Sequence, residues 1–115
     1  MIKLKRIYEP YQRADGFRVL VDRLWPRGVS KAKAKIDLWL KDIGPTDALR
    51  KSFGHQPRKW PMFQKKYRAE LKRNAALGDL KSVLKKHKIV TLLYGAKDSE
   101  RNQAVVLAAV LSRKR

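Results

Sequence analysis

The segment from Val19 to Gly28 constrains the fold more than any other part of the chain. Apolar residues occupy both alternating faces from Phe17 to Val21, with Arg18 as the exception, which is typical of a strand buried on both sides in a parallel sheet. Pro26 cannot continue a hydrogen-bonded ladder and Gly28 permits a turn, so the chain leaves the strand there. Because ligands bind at strand exits in open α/β sheets, we expect a binding site after this strand.

A second buried strand is predicted from Ile89 to Tyr94, which is rich in β-branched residues and apolar on both faces. A lysine-rich helix precedes it, and such a crossover makes the strand parallel to its neighbour. Alternating charged and apolar residues from Ile2 to Ile7 predict a strand away from the centre of the sheet. The segment from Ile36 to Ile43 fits both the two-residue period of a strand and the period of a helix, and it is interpreted as extended. The sequence therefore predicts one compact α/β domain over residues 1–115, with a small, mostly parallel sheet flanked by helices.

Capping residues and apolar stripes predict the helices. N-caps are expected at Ser30, at Pro45 or Thr46, at Asp79, and at Asp98 or Ser99. The most regular stripe begins at Trp60, and Gly78 is expected to end that helix. The final helix contains eight consecutive apolar residues, Ala104 to Leu111, so either the sheet and another helix cover it or a homodimer forms through it. The tail from Arg113 to Arg115 is expected to fray.

The composition is strongly basic, with 29 Lys and Arg against 10 acidic residues and a formal charge of +19 at pH 7. Such a field attracts polyanions, so nucleotides and nucleic acids are candidate partners. The absence of cysteine excludes disulfides, thiol nucleophiles and cysteine-based metal sites, and we expect neither a metal nor a cofactor. No apolar run approaches the roughly twenty residues of a membrane span and no secretory signal is visible, so we expect a cytoplasmic protein with no membrane partner.

Polar and aromatic side chains follow both central strands, at the edge where parallel strands end. The candidate ligand-binding residues are Asp22, Arg23, Trp25 and Arg27 after the first strand, and Tyr94, Lys97, Asp98 and Asn102 after the second. Arginine and lysine would balance a phosphate or carboxylate near a helix N-terminus, and an aromatic ring could stack on a ligand. We expect Arg23 and Lys97 to share one cavity.

The alternative interpretation of these residues is structural. Asp22 and Arg23 could form an ion pair, Trp25 could close the end of the core, and Asp98 could only cap a helix. No spacing indicates a catalytic triad or a P-loop, so catalytic residues stay unassigned. His55 is expected to be an exposed loop residue and His87 a packing residue.

Several segments together carry a family resemblance. They are Lys5 to Tyr8, Asp15 to Gly28, Leu49 to Phe53, Tyr67, Glu70 to Leu71, and Thr91 to Asp98. On these residues the chain resembles the YeaO-like family, bacterial small domains of unknown function also called domain of unknown function 488. The resemblance implies a compact α/β fold and no particular reaction. Other branches of the wider family have a Cys-His-Arg tripeptide in the last helix, where this chain reads Asn102-Gln103-Ala104, so the resemblance implies that thiol chemistry is missing.

The residues together predict a protein that binds a small phosphorylated or carboxylated ligand, with a nucleotide as one candidate, at the ends of its two central strands. The alternative is nucleic-acid binding through basic helix faces. These faces include Lys65, Lys66, Lys72 and Arg73, which lie off the apolar stripe and offer contacts to backbone phosphates. Whether the protein catalyses a reaction is left open by the sequence.

Overall fold

In the computed structural model, which describes residues 1–112, four parallel strands form one sheet in the order β1-β4-β2-β3. The strands are β1 (Ile2–Arg6), β2 (Phe17–Leu20), β3 (Leu38–Trp39) and β4 (Val90–Tyr94). The helices are α1 (Lys31–Ala34), α2 (Asp47–Phe53), α3 (Trp60–Lys72), α4 (Ala75–Lys86) and α5 (Gln103–Ser112). The predicted α/β class is confirmed, while the expected fraying of residues 113–115 lies outside the described residues. None of the helices described is long and apolar enough to span a bilayer.

The centre of the sheet is where the sequence placed it. β2 and β4 are adjacent and parallel, with Val19 in register with Leu92, and both side chains are fully buried. β1 lies at one edge and β3 at the other. The ambiguous segment from 36 to 43 contains only the two-residue β3 and a 3-10 turn at Lys41–Ile43, so the extended interpretation holds for Leu38–Trp39 alone.

The two faces of the sheet are covered unequally. On one face, Val19, Val21 and Leu92 pack into a core with residues of α2, α3, α4 and α5, and we call this the helical face. On the other, Leu20 and Leu93 are covered by α1 and by connecting loops, and we call this the loop face. The difference follows from the right-handedness of connections between parallel strands. The β1–β2 and β2–β3 connections run in the same direction along the sheet and lie on one face, whereas the β3–β4 connection runs in the opposite direction and lies on the other face.

Arg18 is the one charged residue of β2, and the loop face explains it. Its side chain is 1% exposed, and its guanidinium donates to the carbonyls of Ala34 (2.8 Å) and Lys35 (3.1 Å) and to the Asp15 carboxylate. Lys5 Nζ donates to the same carboxylate at 3.0 Å. Burial by itself raises the pKa of Asp15, but hydrogen bonds from the backbone and from these two cations outweigh it, and the pKa lies below its usual range. The buried charges are thus fully partnered.

Gly16 allows the chain to enter β2 directly beside β4. Its φ is +67°, and a Cβ atom at this position would lie 2.4 Å from the carbonyl oxygen of Ile89. That carbonyl also accepts a hydrogen bond from Phe17 N at 2.9 Å. The close approach of the two backbones therefore requires glycine. His87 stacks on Phe17 with ring centroids 4.0 Å apart, which agrees with its expected packing role.

Two of the predicted N-caps are confirmed. Ser30 Oγ accepts from the backbone of Lys33 at 3.1 Å, and Thr46 Oγ1 accepts from that of Leu49 at 3.3 Å. These bonds satisfy amide donors that have no partner inside the helix, as the capping rule anticipates.

The predicted boundary between α3 and α4 is wrong. α3 ends at Lys72, and Asn74 caps α4 by accepting from Ala76 N at 2.9 Å, so Gly78 and Asp79 both lie inside α4. The Asn74 amide also donates to the carbonyl of Asp42 at 2.8 Å. This tertiary contact sets the boundary between α3 and α4 near Asn74, whereas the local sequence predicted it at Gly78.

The predicted cap of α5 is also wrong. Asp98 accepts from the backbone of Glu100 and Arg101 and thereby closes a turn before the helix. The helix begins four residues after Ser99, where Asn102 Oδ1 accepts from Val105 N at 3.1 Å. The apolar α5 packs against β1, β4 and α3, so the sheet and another helix do cover it, although Ala109 stays exposed. Dimerisation through this helix stays a prediction.

Candidate functional site

A cavity of about 250 Å³ opens at the carboxyl ends of β2 and β4, the edge at which the sequence predicts a site. Its polar lining consists of Asp22, Arg23, Arg50, His55, Asn102 and Gln103. Phe53 and Phe63 form an apolar wall, with ring centroids 4.5 Å apart. Small-molecule sites commonly set polar groups against an apolar wall in this way.

Asp22 is the carboxyl group of this cavity. Its Oδ2 accepts from the backbone of Gly95 at 2.9 Å and its Oδ1 accepts from the Gln103 side chain, so the bonds join the end of β2 to the end of β4 and the start of α5. Ion pairs among residues 1–112 do not include Asp22. Burial raises its pKa to about 6, although the two hydrogen bonds and the nearby His55 act in the opposite direction. We therefore expect Asp22 to change charge at mildly acidic pH, near 6.

Gly95 permits this close approach. A Cβ atom at position 95 would lie 2.9 Å from Asp22 Oδ2, closer than real side chains approach. The missing side chain lets the backbone amide reach the carboxylate directly.

Arg23 is held by main-chain carbonyls rather than by the neighbouring aspartate. Its Nε donates to Pro45 O at 2.9 Å and its Nη2 donates to Gly44 O at 2.8 Å. The Asp22–Arg23 ion pair weighed as an alternative is therefore not formed. The hydrogen bonds described within residues 1–112 leave Nη1 unused, so the guanidinium is fixed in position and keeps a donor group.

Arg50 brings a second guanidinium to the cavity from α2. Its Nη2 lies 3.3 Å from Asp47 Oδ1, an exposed pair that contributes little to stability. Its Nε is buried and has no hydrogen-bond partner within residues 1–112. A buried donor without a partner is unusual and is satisfied most readily by an acceptor that enters from outside.

Asn102 and Gln103 supply the amide groups of the cavity. Asn102 is 2% exposed, and both ends of its amide are used: Nδ2 donates to Asp98 O at 2.8 Å and Oδ1 caps α5. Gln103 donates to Asp22 and keeps its carbonyl oxygen available at the cavity edge. No cluster of three or more possible metal-ligating side chains occurs in the described part of the chain.

Three of the eight predicted ligand-binding residues line the cavity, namely Asp22, Arg23 and Asn102. Lys97 is exposed and does not line it, so the structure does not bring Arg23 and Lys97 together in one cavity. Asp98 is used in the turn before α5, with its carboxylate also 3.2 Å from Arg101 Nη1.

The other three predicted residues lie elsewhere. Trp25 packs edge-on to Trp39 on the loop face, with centroids 5.3 Å apart, and donates to Val29 O at 2.8 Å. Tyr94 is 4% exposed and belongs to the core of the helical face. Arg27 is exposed, and its carbonyl accepts from the Tyr8 hydroxyl at 2.8 Å.

Sequence reasoning missed Arg50, Phe53, Phe63 and Gln103 as cavity residues. His55 is exposed, as expected, yet it also lines the rim of the cavity. A signal was present for Arg50, Phe53 and Gln103, since Leu49 to Phe53 is one of the segments that carry the family resemblance and Gln103 lies within the tripeptide that replaces Cys-His-Arg. No local pattern in the sequence predicts the path of α2 across the edge of the sheet.

Comparison with known proteins decides the family. The model of the family described as "Inactive DUF488-N3 subclade" matches residues 1–115. The chain belongs to this DUF488 subclade. The uncharacterised protein YeaO of Escherichia coli (strain K12) is 42% identical over 107 residues, which cover 93% of each chain. An uncharacterised protein of Mycobacterium bovis, Mb3100c, is 37% identical over 111 residues, covering 96% of this chain and 93% of the relative, and Rv3073c of Mycobacterium tuberculosis gives the same values. No solved structure matches.

Proposed function

We propose that this DUF488 protein binds a small carboxylated or phosphorylated ligand in the cavity at the ends of β2 and β4, and that it does so without catalysing a reaction. The observation that carries the proposal is the meeting of two arginines from separate elements, Arg23 and Arg50, in one cavity with an apolar wall. Each guanidinium keeps at least one nitrogen without a partner in the described residues. Arginine forks match the geometry of carboxylates and phosphates.

The protonation of Asp22 favours anion binding at mildly acidic pH. Below its pKa of about 6 the carboxyl is neutral, and the charge of the cavity comes from its arginines. Above that pKa the carboxylate repels an anion. We therefore expect affinity for an anion of constant charge, such as sulfate, to fall as the pH rises through about 6.

The family supports binding rather than turnover. The subclade is described as inactive. By resemblance, other branches of the wider family have a Cys-His-Arg tripeptide where this chain has Asn102, Gln103 and Ala104, and two of these three residues line the cavity. A cavity lined by two arginines, with amide side chains and no thiol nucleophile, is suited to hold a ligand.

Isothermal titration calorimetry with inorganic phosphate, sulfate, succinate and adenosine monophosphate tests the proposal. Arg23→Ala and Arg50→Ala should each weaken binding by about tenfold or more, since a hydrogen bond to a charged group contributes about 1.5–3 kcal/mol. Arg27→Ala is the matched control, because it removes the same charge from a residue outside the cavity. Absence of heat with every anion, or an equal loss in the control, would refute cavity binding.

A second candidate is nucleic-acid binding through the basic face of α3. Lys65, Lys66, Lys72 and Arg73 are all exposed, whereas the aromatic side chains of this helix are buried or half-buried. Such a face offers phosphate contacts without stacking. Charge reversal there should reduce the slope of log affinity against log salt for duplex DNA by about 0.9 for each phosphate that is no longer neutralised. A slope unchanged by these substitutions would exclude the face.

Self-association and location complete the proposal. We propose a cytoplasmic protein. A homodimer through the Ala104 to Leu111 helix would have to use the exposed Ala109 and its half-buried neighbours, because the sheet and α3 cover the rest of this helix. Light scattering coupled to size exclusion measures the mass directly, and a strict monomer at high concentration would remove the homodimer.

A further inference from the structure

Aromatic rings with cations against them occur in the loop that follows β1 and beside α1. Lys35 Nζ lies 4.6 Å from the centroid of the Tyr11 ring and Arg6 Cζ lies 4.6 Å from that of Tyr8. Lys31 Nζ lies 5.9 Å from the Trp25 ring. We call the surface formed by the loop 8–16 and α1 the aromatic-cation surface.

Tyr11 is presented to solvent from a rigid base. Its side chain is 42% exposed, although large apolar side chains are usually covered. Arg18 lies 5.2 Å from the ring centroid and is itself 1% exposed, so it supports the ring from the protein interior. Lys35 on the ring is exposed and can move aside. The ring is thus positioned and accessible.

Tyr8 is held in a similar way. Its hydroxyl donates to Arg27 O at 2.8 Å, and Arg6 beneath it donates to the carbonyls of Gly95 (3.3 Å) and Ala96 (3.0 Å). The ring is nevertheless 46% exposed. A residue fixed at both ends and still open to solvent can stack without a further loss of side-chain freedom.

The charge around these rings is mostly positive. Residues 1–37 contain ten Lys and Arg and four acidic residues, one of which, Asp37, is exposed and accepts from Arg18 N at 2.8 Å. Asp15 is buried between Lys5 and Arg18, Asp22 lies in the cavity, and Glu9 accepts from a backbone amide at 2.9 Å. The cations that stay exposed are Arg13, Arg27, Lys31, Lys33 and Lys35.

We infer that the aromatic-cation surface binds single-stranded nucleic acid, with bases stacked on Tyr8 and Tyr11 and the backbone phosphates on the exposed cations of α1 and the adjoining loops. Accessible rings interleaved with cations are the elements of sequence-tolerant single-strand binding. A duplex keeps its bases stacked on one another, so the rings favour unpaired strands. The basic face of α3 lacks exposed rings and offers charge alone.

Fluorescence anisotropy with labelled oligo(dT) of about 12 nucleotides tests the inference, a length within the usual site size. Tyr8→Ala and Tyr11→Ala should each weaken binding by about fivefold or more, whereas Tyr11→Phe, which keeps the ring, should bind like the wild type. Circular dichroism of each variant establishes that it is folded. Loss of affinity in Tyr11→Phe equal to that in Tyr11→Ala would overturn the role of stacking.

Charge reversal separates this surface from the helix face. Lys31→Glu with Lys33→Glu should lower the slope of log affinity against log salt by about 1.4, since each phosphate on a single strand contributes about 0.7. Lys65→Glu with Lys66→Glu carries the same charge change on α3 and should leave the slope within error. An equal effect of both pairs would overturn the inference, because attraction would then follow net charge alone.

Two further titrations complete the test. Duplex DNA of the same length should bind more weakly than oligo(dT), and vesicles of anionic phospholipid should not compete with it. Tighter binding of the duplex, or displacement of oligo(dT) by the vesicles, would overturn the inference. Arg23→Ala should not change oligo(dT) binding, so failure of the cavity proposal and failure of this one are distinguishable.

Discussion

Replacement of Asp22 by asparagine should stabilise the protein above pH 6. The carboxyl group is half-buried beside Gly95 and Gln103 and has no cation paired with it among residues 1–112. Asparagine can accept the same bond from Gly95, and the Gln103 amide can turn to accept from its side chain. The substitution therefore removes a half-buried negative charge and keeps both hydrogen bonds.

The pH dependence follows from the raised pKa. In the unfolded chain the carboxyl has its ordinary pKa of 3.8, whereas in the folded protein the pKa is about 6. Between these values the folded state binds more protons than the unfolded state, so the free energy of unfolding falls as the pH rises from about 4 to about 6 and stays lower above that range. A shift of this size corresponds to at most about 3 kcal/mol, and because Asp22 is partly solvent-accessible we expect about 1–2 kcal/mol.

Urea unfolding at a series of pH values measures the effect. The difference between Asp22→Asn and the wild type should be near zero at pH 4, grow through the range up to pH 6 and then stay constant. Asp79→Asn is the matched control, since it makes the same substitution at an exposed position on α4, outside the cavity. A difference that is equal at all pH values, or Asp22→Asn less stable than wild type at pH 8, would refute the reasoning.

Three further substitutions test the packing of the sheet. Arg18→Met should lower the free energy of unfolding by about 3 kcal/mol or more, because the buried Asp15 then keeps only one cation. Urea unfolding at pH 7 measures this change. A loss below about 1 kcal/mol would show that the Arg18 charge is not needed to stabilise the buried Asp15. Gly16→Ala should lower the melting temperature clearly more than Gly28→Ala, since both glycines have a positive φ but only a Cβ at position 16 would meet backbone atoms. Equal losses would contradict the close approach of Gly16 to Ile89. Tyr67→Phe should cost about 1 kcal/mol, because the buried hydroxyl donates to a carbonyl at 2.6 Å, and a neutral result in urea would contradict that bond.

The strands could be predicted because their signals are local. Burial on both faces of β2 and β4 appears as continuous apolar runs, and the charged alternation of β1 marks an edge. A parallel pair also implies that both strands end at one edge of the sheet. The sequence thus determined the edge at which the cavity lies, and it identified Asp22, Arg23 and Asn102 near that edge.

The composition of the cavity was decided by tertiary structure. Gln103 reaches Asp22 from 81 residues away in the chain, and Arg50 arrives on a helix whose path across the sheet has no periodic signature. Trp25 and Lys97 follow the same two strands but turn away, because a loop side chain is oriented by what it packs against and not by its distance from the strand. Sequence determines which residues leave the sheet together, since strand direction is a property of the backbone. Only the packed structure decides which side chains point into the same space, since contacts between distant segments fix each rotamer.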